Sequence, residues 1–385
     1  YLDSIIDIKN INHLNYYSET TTLKKSLKYK SFKIKLGKDI EDPNFNHIYI
    51  TPIISYKNIY DGVNLGTEIH NKSIFKREFN YKFKPVYSTN SKQLSGSAII
   101  YKSKNIRNKD LFLVNYGMYA NLSSYNQNSL AKIYSPFINF NFRESSDLRI
   151  NNRSSLGARF LKISHDGEII TSPEYQIFNL KYTSLQPGLI NHKKWFVDYQ
   201  LSEKFSKLSF SYEFRKLYEN NRELNVRLFT GYFLHNRHES TNSYFNYSLD
   251  RPTDYLYDYN YYGRSENNGF FSQQIIVAEG GFKSKLSNSG SNNFISTINL
   301  SSTIWTNLLL YVDLGMLNNK EDNSLRFVYD TGFRFNIIAD YFEIYFPIKS
   351  SDNFDLESSN YKEKIRFLFT FEPDVLLGLF RRKWY

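Results

Sequence analysis

The chain has 385 residues, no cysteine, and a formal net charge of +11 from 49 Lys and Arg against 38 Asp and Glu. Disulfides, thiolate metal sites and cysteine nucleophiles are excluded, and no stretch approaches the roughly 20 apolar residues of a membrane-spanning helix. Aromatic residues make 18% of the chain, with 33 Tyr and 32 Phe, yet hydrophobic residues make only 41%. That mixture is odd for a compact enzyme. It suits a membrane barrel, in which alternate residues face lipid and a wet lumen and aromatic girdles mark both water interfaces. The basic residues sit on alternating positions, as in FKIKL and FNYKFK, with no concentrated arm or binding motif, so no nucleic-acid partner is expected.

Residues 1–28 read as an N-terminal linker or periplasmic segment. The chain opens with YLDSII, without an initiator Met or a signal peptide, which predicts a mature or fragmentary product with more chain upstream. From Tyr29 to residue 372 a period-two pattern recurs in segments of about ten residues, the length of a tilted membrane strand. Strands are predicted at 29–37, 46–57, 63–71, 78–88, 93–103, 110–121, 130–142, 154–164 and 174–184. They continue at 192–202, 207–217, 222–235, 270–285, 293–304, 308–318, 324–337, 341–349 and 361–371. In the stretch from Lys207, the residues Leu208, Phe210, Tyr212 and Phe214 share one face, opposed by Ser209, Ser211, Glu213 and Arg215. Leu325, Phe327, Tyr329, Phe333 and Phe335 oppose Arg326, Asp330, Arg334 and Asn336 in the same way. Around Ile177 to Tyr182 the alternation is mixed, and spacing carries the strand. Residues 373–385 read as a tail with a short helix, since Val375, Leu376, Leu379 and Phe380 fall at helical spacing.

The fold class is therefore all-β: a transmembrane antiparallel barrel of about 18 strands, with 16 as the alternative and a short C-terminal helix. A count back from Phe371, with the barrel ending in the periplasm, puts Ala339-Asp340, Thr306-Asn307, Phe205-Ser206, Asn90-Ser91 and Tyr60-Asp61 on the periplasmic side, where short turns are expected. The long stretch 236–269 falls on that side too. It reads as an insert in the lumen or toward a periplasmic partner. A strand within it, at Tyr244 to Leu249, would break the parity.

Catalytic motifs are lacking. His238-Glu239 would need a second histidine at Asn242 for a zinc-protease motif, and the other histidines show no metal-ligand spacing. Glu279-Gly280-Gly281 lacks the lysine, the further glycines and the helix of a phosphate loop, and reads as a bulge or close inward packing. Glu41-Asp42, Asp250 and Asp254 lie beside or close to prolines, where turn chemistry accounts for them. No cofactor is assigned to this chain. The Tyr-rich segment DRPTDYLYDYNYYGRSENNG, from Asp250, reads either as a binding surface or as a plug sealing the lumen. Its candidate contact residues are Tyr255, Tyr257, Tyr259, Tyr261, Tyr262 and Arg264.

This segment, followed by FSQQIIVAEGGFKSKL, resembles the C-terminal barrel region of flavobacterial outer-membrane proteins of the aminopeptidase N-like (gluzincin) metallopeptidase family. KLSFSYEFRKLYENNRELNVRLF, FVYDTGFRFNIIADYFEIYFPI, the ending EKIRFLFTFEPDVLLGLFRRKWY and LGKDIEDPNFN near Lys38 are similar to the same family, so the resemblance covers most of the chain from about Lys28. It implies a barrel in the bacterial outer membrane that anchors an upstream periplasmic zinc peptidase domain. The family's H-E-x-x-H and downstream glutamate match no position here, so zinc belongs to that upstream domain and no metal residue is carried over.

Three roles are then weighed. An anchor, or a subunit of an outer-membrane assembly with lipid, lipopolysaccharide and protein partners, should have its lumen closed by the insert. A channel for anionic solutes would use Arg215, Arg326 and Arg334 along its path. A soluble glycan-binding β-protein would expose its tyrosines to water.

Overall fold

A computed structural model describes residues 32–36, 46–56, 60–72, 77–106, 110–126, 129–145, 147, 150–166, 174–237, 244–250, 254–259, 269–321, 324–338 and 341–369. One sheet of 17 strands dominates, between the two expected counts. Its first part is β1 (Phe32–Leu36), β2 (Asn46–Tyr56), β3 (Val63–His70), β4 (Phe79–Ser88), β5 (Leu94–Asn105) and β6 (Leu111–Asn126). There follow β7 (Ser129–Arg143), β8 (Arg153–His165), β9 (Glu174–Pro187), β10 (Asn191–Ser202), β11 (Phe205–Leu217) and β12 (Glu223–Asn236). An insert holds a two-residue ribbon, β13 (Tyr247–Ser248) with β14 (Gly290–Ser291). The sheet resumes with β15 (Phe294–Trp305), β16 (Leu308–Asn318), β17 (Leu325–Ile338), β18 (Phe342–Ser350) and β19 (Arg366–Phe369).

From β2 to β19 each sheet strand pairs antiparallel with the next, β12 joining directly to β15. The short β1 is added parallel to β2, with Phe32 opposite Asn46. Both ends of the antiparallel run reach one dipeptide of the insert. Tyr56 of β2 packs against Phe271 at 5.5 Å, and Phe367 of β19 stacks on Phe270 at 4.7 Å. The sheet thus curls round into a barrel with the insert inside.

The burial pattern is inverted relative to a water-soluble protein. On β17, Leu325, Phe327, Tyr329, Phe333 and Phe335 are exposed, Phe327 to 73%, while Asp330, Arg334 and Asn336 are buried. On β11, Leu208 and Phe210 are exposed, while Lys207, Ser209 and Ser211 are buried. Ile298 and Leu300 on β15 face outward in the same way, against inward Thr297 and Asn299. An apolar exterior round a polar interior is the pattern of a barrel solvated by lipid, and exposed apolar area of this extent would drive a soluble protein to aggregate.

Three expectations are corrected. Residues 270–285 are not a strand: Phe270–Gln273 is a 3₁₀ turn and the rest is irregular chain inside the barrel. The segment carries alternating apolar residues because it packs into a core, and periodicity alone does not separate the two cases. Residues 361–364 form a short helix, α1 (Tyr361–Lys364), ahead of the last strand. Removing the strand at 270–285 also shifts the parity. The turns at 60–61, 90–91 and the one before Phe205 lie at the same end of the barrel as the insert, whereas 306–307 and the end of β17 at Ile338 lie at the other; residues 339–340 lie outside the described residues. The stretch at Ile177–Tyr182 lies within the regular 14-residue β9. The N-terminal segment 1–28, the tail 373–385, Glu41-Asp42 and His238-Glu239 lie outside the described residues.

Candidate functional site: the luminal insert

The connection from β12 to β15 fills one side of the lumen, and its residues build the site. Phe245, Tyr247, Leu249, Tyr255, Phe282 and Leu286 of the insert form a buried cluster with Phe205, Phe229, Phe233, Ile295, Leu317 and Val328 of the wall. Each such side chain stabilises the docked state by about 1.5–3 kcal/mol. The wall is shaped to receive them. At Gly231 of β12 an added Cβ would lie 2.6 Å from the Tyr247 ring, so the bare backbone is the socket for that ring. Tyr247 also donates its hydroxyl to the Leu208 carbonyl at 3.1 Å.

Polar side chains on the inward faces of successive strands hold the insert at defined points. Lys207 on β11 is 2% exposed and donates to the Phe245 carbonyl at 3.2 Å. Its ammonium lies 4.3 Å from the Tyr247 ring centre and 4.5 Å from that of Tyr255, with Phe233 and Phe205 slightly farther. Arg227 on β12 donates from Nη1 to the Glu279 carbonyl at 2.7 Å and to Asn299 Oδ1 at 2.9 Å. Lys283 meets Asp313 of β16, and Asp330 of β17 accepts from the Lys283 and Ser284 amides at 2.8 and 2.6 Å and from the Ser284 hydroxyl at 2.7 Å. These are buried charges with partners, the condition under which a low-dielectric site tolerates them.

At the Glu279-Gly280-Gly281 turn the insert backbone comes close to the wall. Gly281 has φ +70, and a Cβ there would lie 2.8 Å from Asn299 Oδ1 and 2.9 Å from Arg227 Nη1. Asn299 donates from Nδ2 to the Gly280 carbonyl at 3.0 Å, and the Ser248 amide donates to Glu279 Oε2 at 2.8 Å. Burial raises the Glu279 carboxyl to about 7, against the opposing pull of Lys207, the Ser248 amide and Arg227.

Of the Tyr-rich residues, Tyr255 is buried, donates to Gln200 Oε1 at 2.5 Å and accepts at its carbonyl from the Tyr175 hydroxyl at 2.6 Å. The Tyr257 hydroxyl lies 2.6 Å from His165 Nε2 on β8. Tyr259 is 36% exposed. Asp254 closes this turn, accepting from the Asp258 and Tyr259 amides. Tyr261, Tyr262 and Arg264 lie outside the described residues. Sequence reasoning did not single out Lys207, Arg227, Glu279, Lys283, Asp313 or Asp330 as one constellation. A charge on the inward face of a predicted strand was the available signal, and the partner in the insert was not readable from spacing.

The arginines expected along a solute path are engaged. Arg334 pairs with Glu343 at 2.5 Å and donates to Asn336, while Arg326 donates to the Ser287 and Asn288 carbonyls and reaches Asp352 at 3.4 Å. Arg215 lines a cavity of about 220 Å³ with Arg227 and Arg334, and its Nε is 3.6 Å from Glu223. Among the described residues no group of His, Asp and Glu could hold a metal ion.

No known protein family matches the chain by sequence, and no curated protein matches it. Among solved structures it is similar to the crystal structure of BamA from Haemophilus ducreyi lacking POTRA domains 1-3, with a TM-score of 0.43 and 11% identity over 86% of this chain and 74% of that one.

Proposed function

We propose that the chain is a bacterial outer-membrane β-barrel whose lumen is occupied by its own β12–β15 insert, and that it acts as an anchor or docking subunit. The observation that carries this reading is the conjunction of an apolar exterior with an insert fastened to β8–β12 and β15–β19 by aromatic packing, hydrogen bonds from inward side chains, the Arg159–Asp258 pair and the buried Lys283–Asp313 pair. A lumen bound to its own insert on one side suits a fixed support better than an open pore.

Topology supports a place for the anchored domain. With an even number of antiparallel strands, the start of β2 and the end of β19 lie at the same end of the barrel, opposite the insert's roots. The longest connections, 237–293 and 351–365, gather at the insert's end, and bacterial barrels keep their short turns on the periplasmic side. A domain joined ahead of β2 would then stand in the periplasm, and the zinc peptidase domain implied by the family resemblance is our candidate for it. Outer-membrane lipid and lipopolysaccharide are the partners of the exterior in this reading.

The test is intact-mass analysis of the native protein extracted from outer membranes. A mass well above the 45.7 kDa of this chain, with H-E-x-x-H in upstream tryptic peptides, is expected. A mass near 45.7 kDa would sink the peptidase anchor and leave the docking subunit. Recovery in the soluble fraction without detergent would overturn the barrel reading itself.

A further inference from the structure

The outer face of β10–β11 ends in a pair of lysines. From the exposed Phe210, the outward side of β11 continues through Tyr212 and Phe214 to Lys216, and the register carries that side onto β10, where Lys193 is opposite Phe214 and Asn191 opposite Lys216. Lys193 and Lys216 are therefore diagonal neighbours on one face, about 7 Å apart at their Cβ atoms. Next to them, toward the middle of the sheet, the same face carries an aromatic patch. Trp195 is opposite Tyr212, and its ring lies 5.1 Å from that of Tyr182 on β9 and 6.5 Å from that of Phe210. Trp and Tyr collect where hydrocarbon meets headgroups, and lysines just beyond them lay their stems on apolar surface and hold the ammonium among the headgroups. Lys216 does so: its ammonium lies 4.8 Å from the ring centre of Tyr218, two residues farther out.

Charge then selects the headgroup. Neither lysine has a carboxylate partner among the described residues, Glu219 of the adjoining turn included, and their cross-strand neighbours Gln186, Asn191, Phe214 and Leu224 carry no charge. At the opposite end of the barrel the outward Lys132 of β7 and Lys162 of β8 are each held by a carboxylate, Asp166 at 2.7 Å and Glu174 at 2.8 Å. Two ammonium groups as near as those of a diagonal pair repel each other, and an anion between them removes the repulsion. The lysine pair lies at the end of the barrel where β2 starts. That end is periplasmic in the function proposed above, and the lipid assignment rests on that reading: the leaflet it meets offers phospholipid phosphates.

We propose that the outer face of β10–β11 binds one anionic phospholipid, its phosphate between Lys193 and Lys216 and its acyl chains along Phe214, Trp195 and Phe210. A soluble anion would leave the apolar face that borders the lysines uncovered.

Trp195 makes the test local. The chain has three Trp, so the full chain with Trp305→Phe and Trp384→Phe keeps Trp195 as its one indole, and bromine on an acyl chain quenches an indole only at short range. In phosphatidylcholine liposomes at low salt, brominated phosphatidylglycerol should be preferred at Trp195 over brominated phosphatidylcholine on the order of tenfold. Lys193→Gln with Lys216→Gln should bring the two lipids level. Lys102→Gln should leave the preference unchanged, since it removes an outward charge at the same end of the barrel but on β5, between exposed Phe79 and Tyr116. Heat-modifiable migration on gels checks that each variant is a folded barrel. Equal quenching by the two brominated lipids in the single-Trp parent, a preference that survives the double lysine substitution, or an equal loss in Lys102→Gln would overturn the site while the barrel reading stands. Quenching by neither lipid would overturn the barrel reading and the lipid site with it.

Discussion

Lys283 of the insert places its ammonium 2.9 and 3.0 Å from the two carboxylate oxygens of Asp313 on β16, and both side chains are almost wholly out of solvent. Asn299 adds a donor to the same carboxylate at 2.9 Å. The pair ties the irregular chain of the insert to one position on the barrel wall.

Removing one partner leaves the other charge buried and uncompensated, which costs about 3–5 kcal/mol for a pair of this kind. Asp313→Ala should therefore release the insert, read as faster limited proteolysis within residues 237–293 with the barrel still folded. Replacing both residues by apolar ones, Lys283→Met with Asp313→Leu, should recover much of the loss. An Asp313→Ala variant as protease-resistant as the parent would show that this pair does not hold the insert.

Gly231 gives a steric counterpart. A methyl group there would meet the Tyr247 ring at 2.6 Å, so Gly231→Ala should displace the ring and lower the stability of the docked insert by about 1–3 kcal/mol. Shrinking the ring with Tyr247→Leu in the same chain should offset part of that loss. Thermal unfolding of the two variants, alone and together, measures the coupling.

The Glu279 carboxyl feels the charges of Lys207 on β11, Arg227 on β12 and Asp254 of the insert. Burial raises its pKa from 4.5 to about 7, so docking favours the protonated form. The resulting stability is fully present below about pH 4.5 and is lost as pH rises through about 7. Insert proteolysis should accelerate across that window, and Glu279→Gln should remove the dependence. A window that persists unchanged in Glu279→Gln would assign the titration to another group.

The exterior offers a test of the membrane reading. Phe210 of β11 faces outward and Ser209 beside it faces inward. Phe210→Arg should cost about 2–4 kcal/mol near the bilayer midplane and reduce insertion into liposomes, scored by heat-modifiable migration. Phe210→Leu should insert as the parent does. Equal insertion of Phe210→Arg and the parent would count against lipid contact at this face.

Much of the barrel was legible in the chain alone. Strict alternation at Leu208–Phe214 and Leu325–Phe335 determined which residues share a face, because successive side chains on a strand point to opposite sides. The same alternation, together with length, marked most strand positions and the long connection after Asn236. It could not decide whether 270–285 was wall or filling, since an apolar run looks alike in both, and that one error moved the turns at 60–61 and 90–91 to the wrong end. Nor could spacing join Lys283 to Asp313 or Arg227 to the Glu279 carbonyl, which lie on different elements and meet only when the sheet closes round the insert. Local sequence sets direction and face through backbone geometry; which partner each inward charge finds, a carboxylate for Lys283 and a carbonyl with aromatic rings for Lys207, is decided by long-range packing inside the lumen.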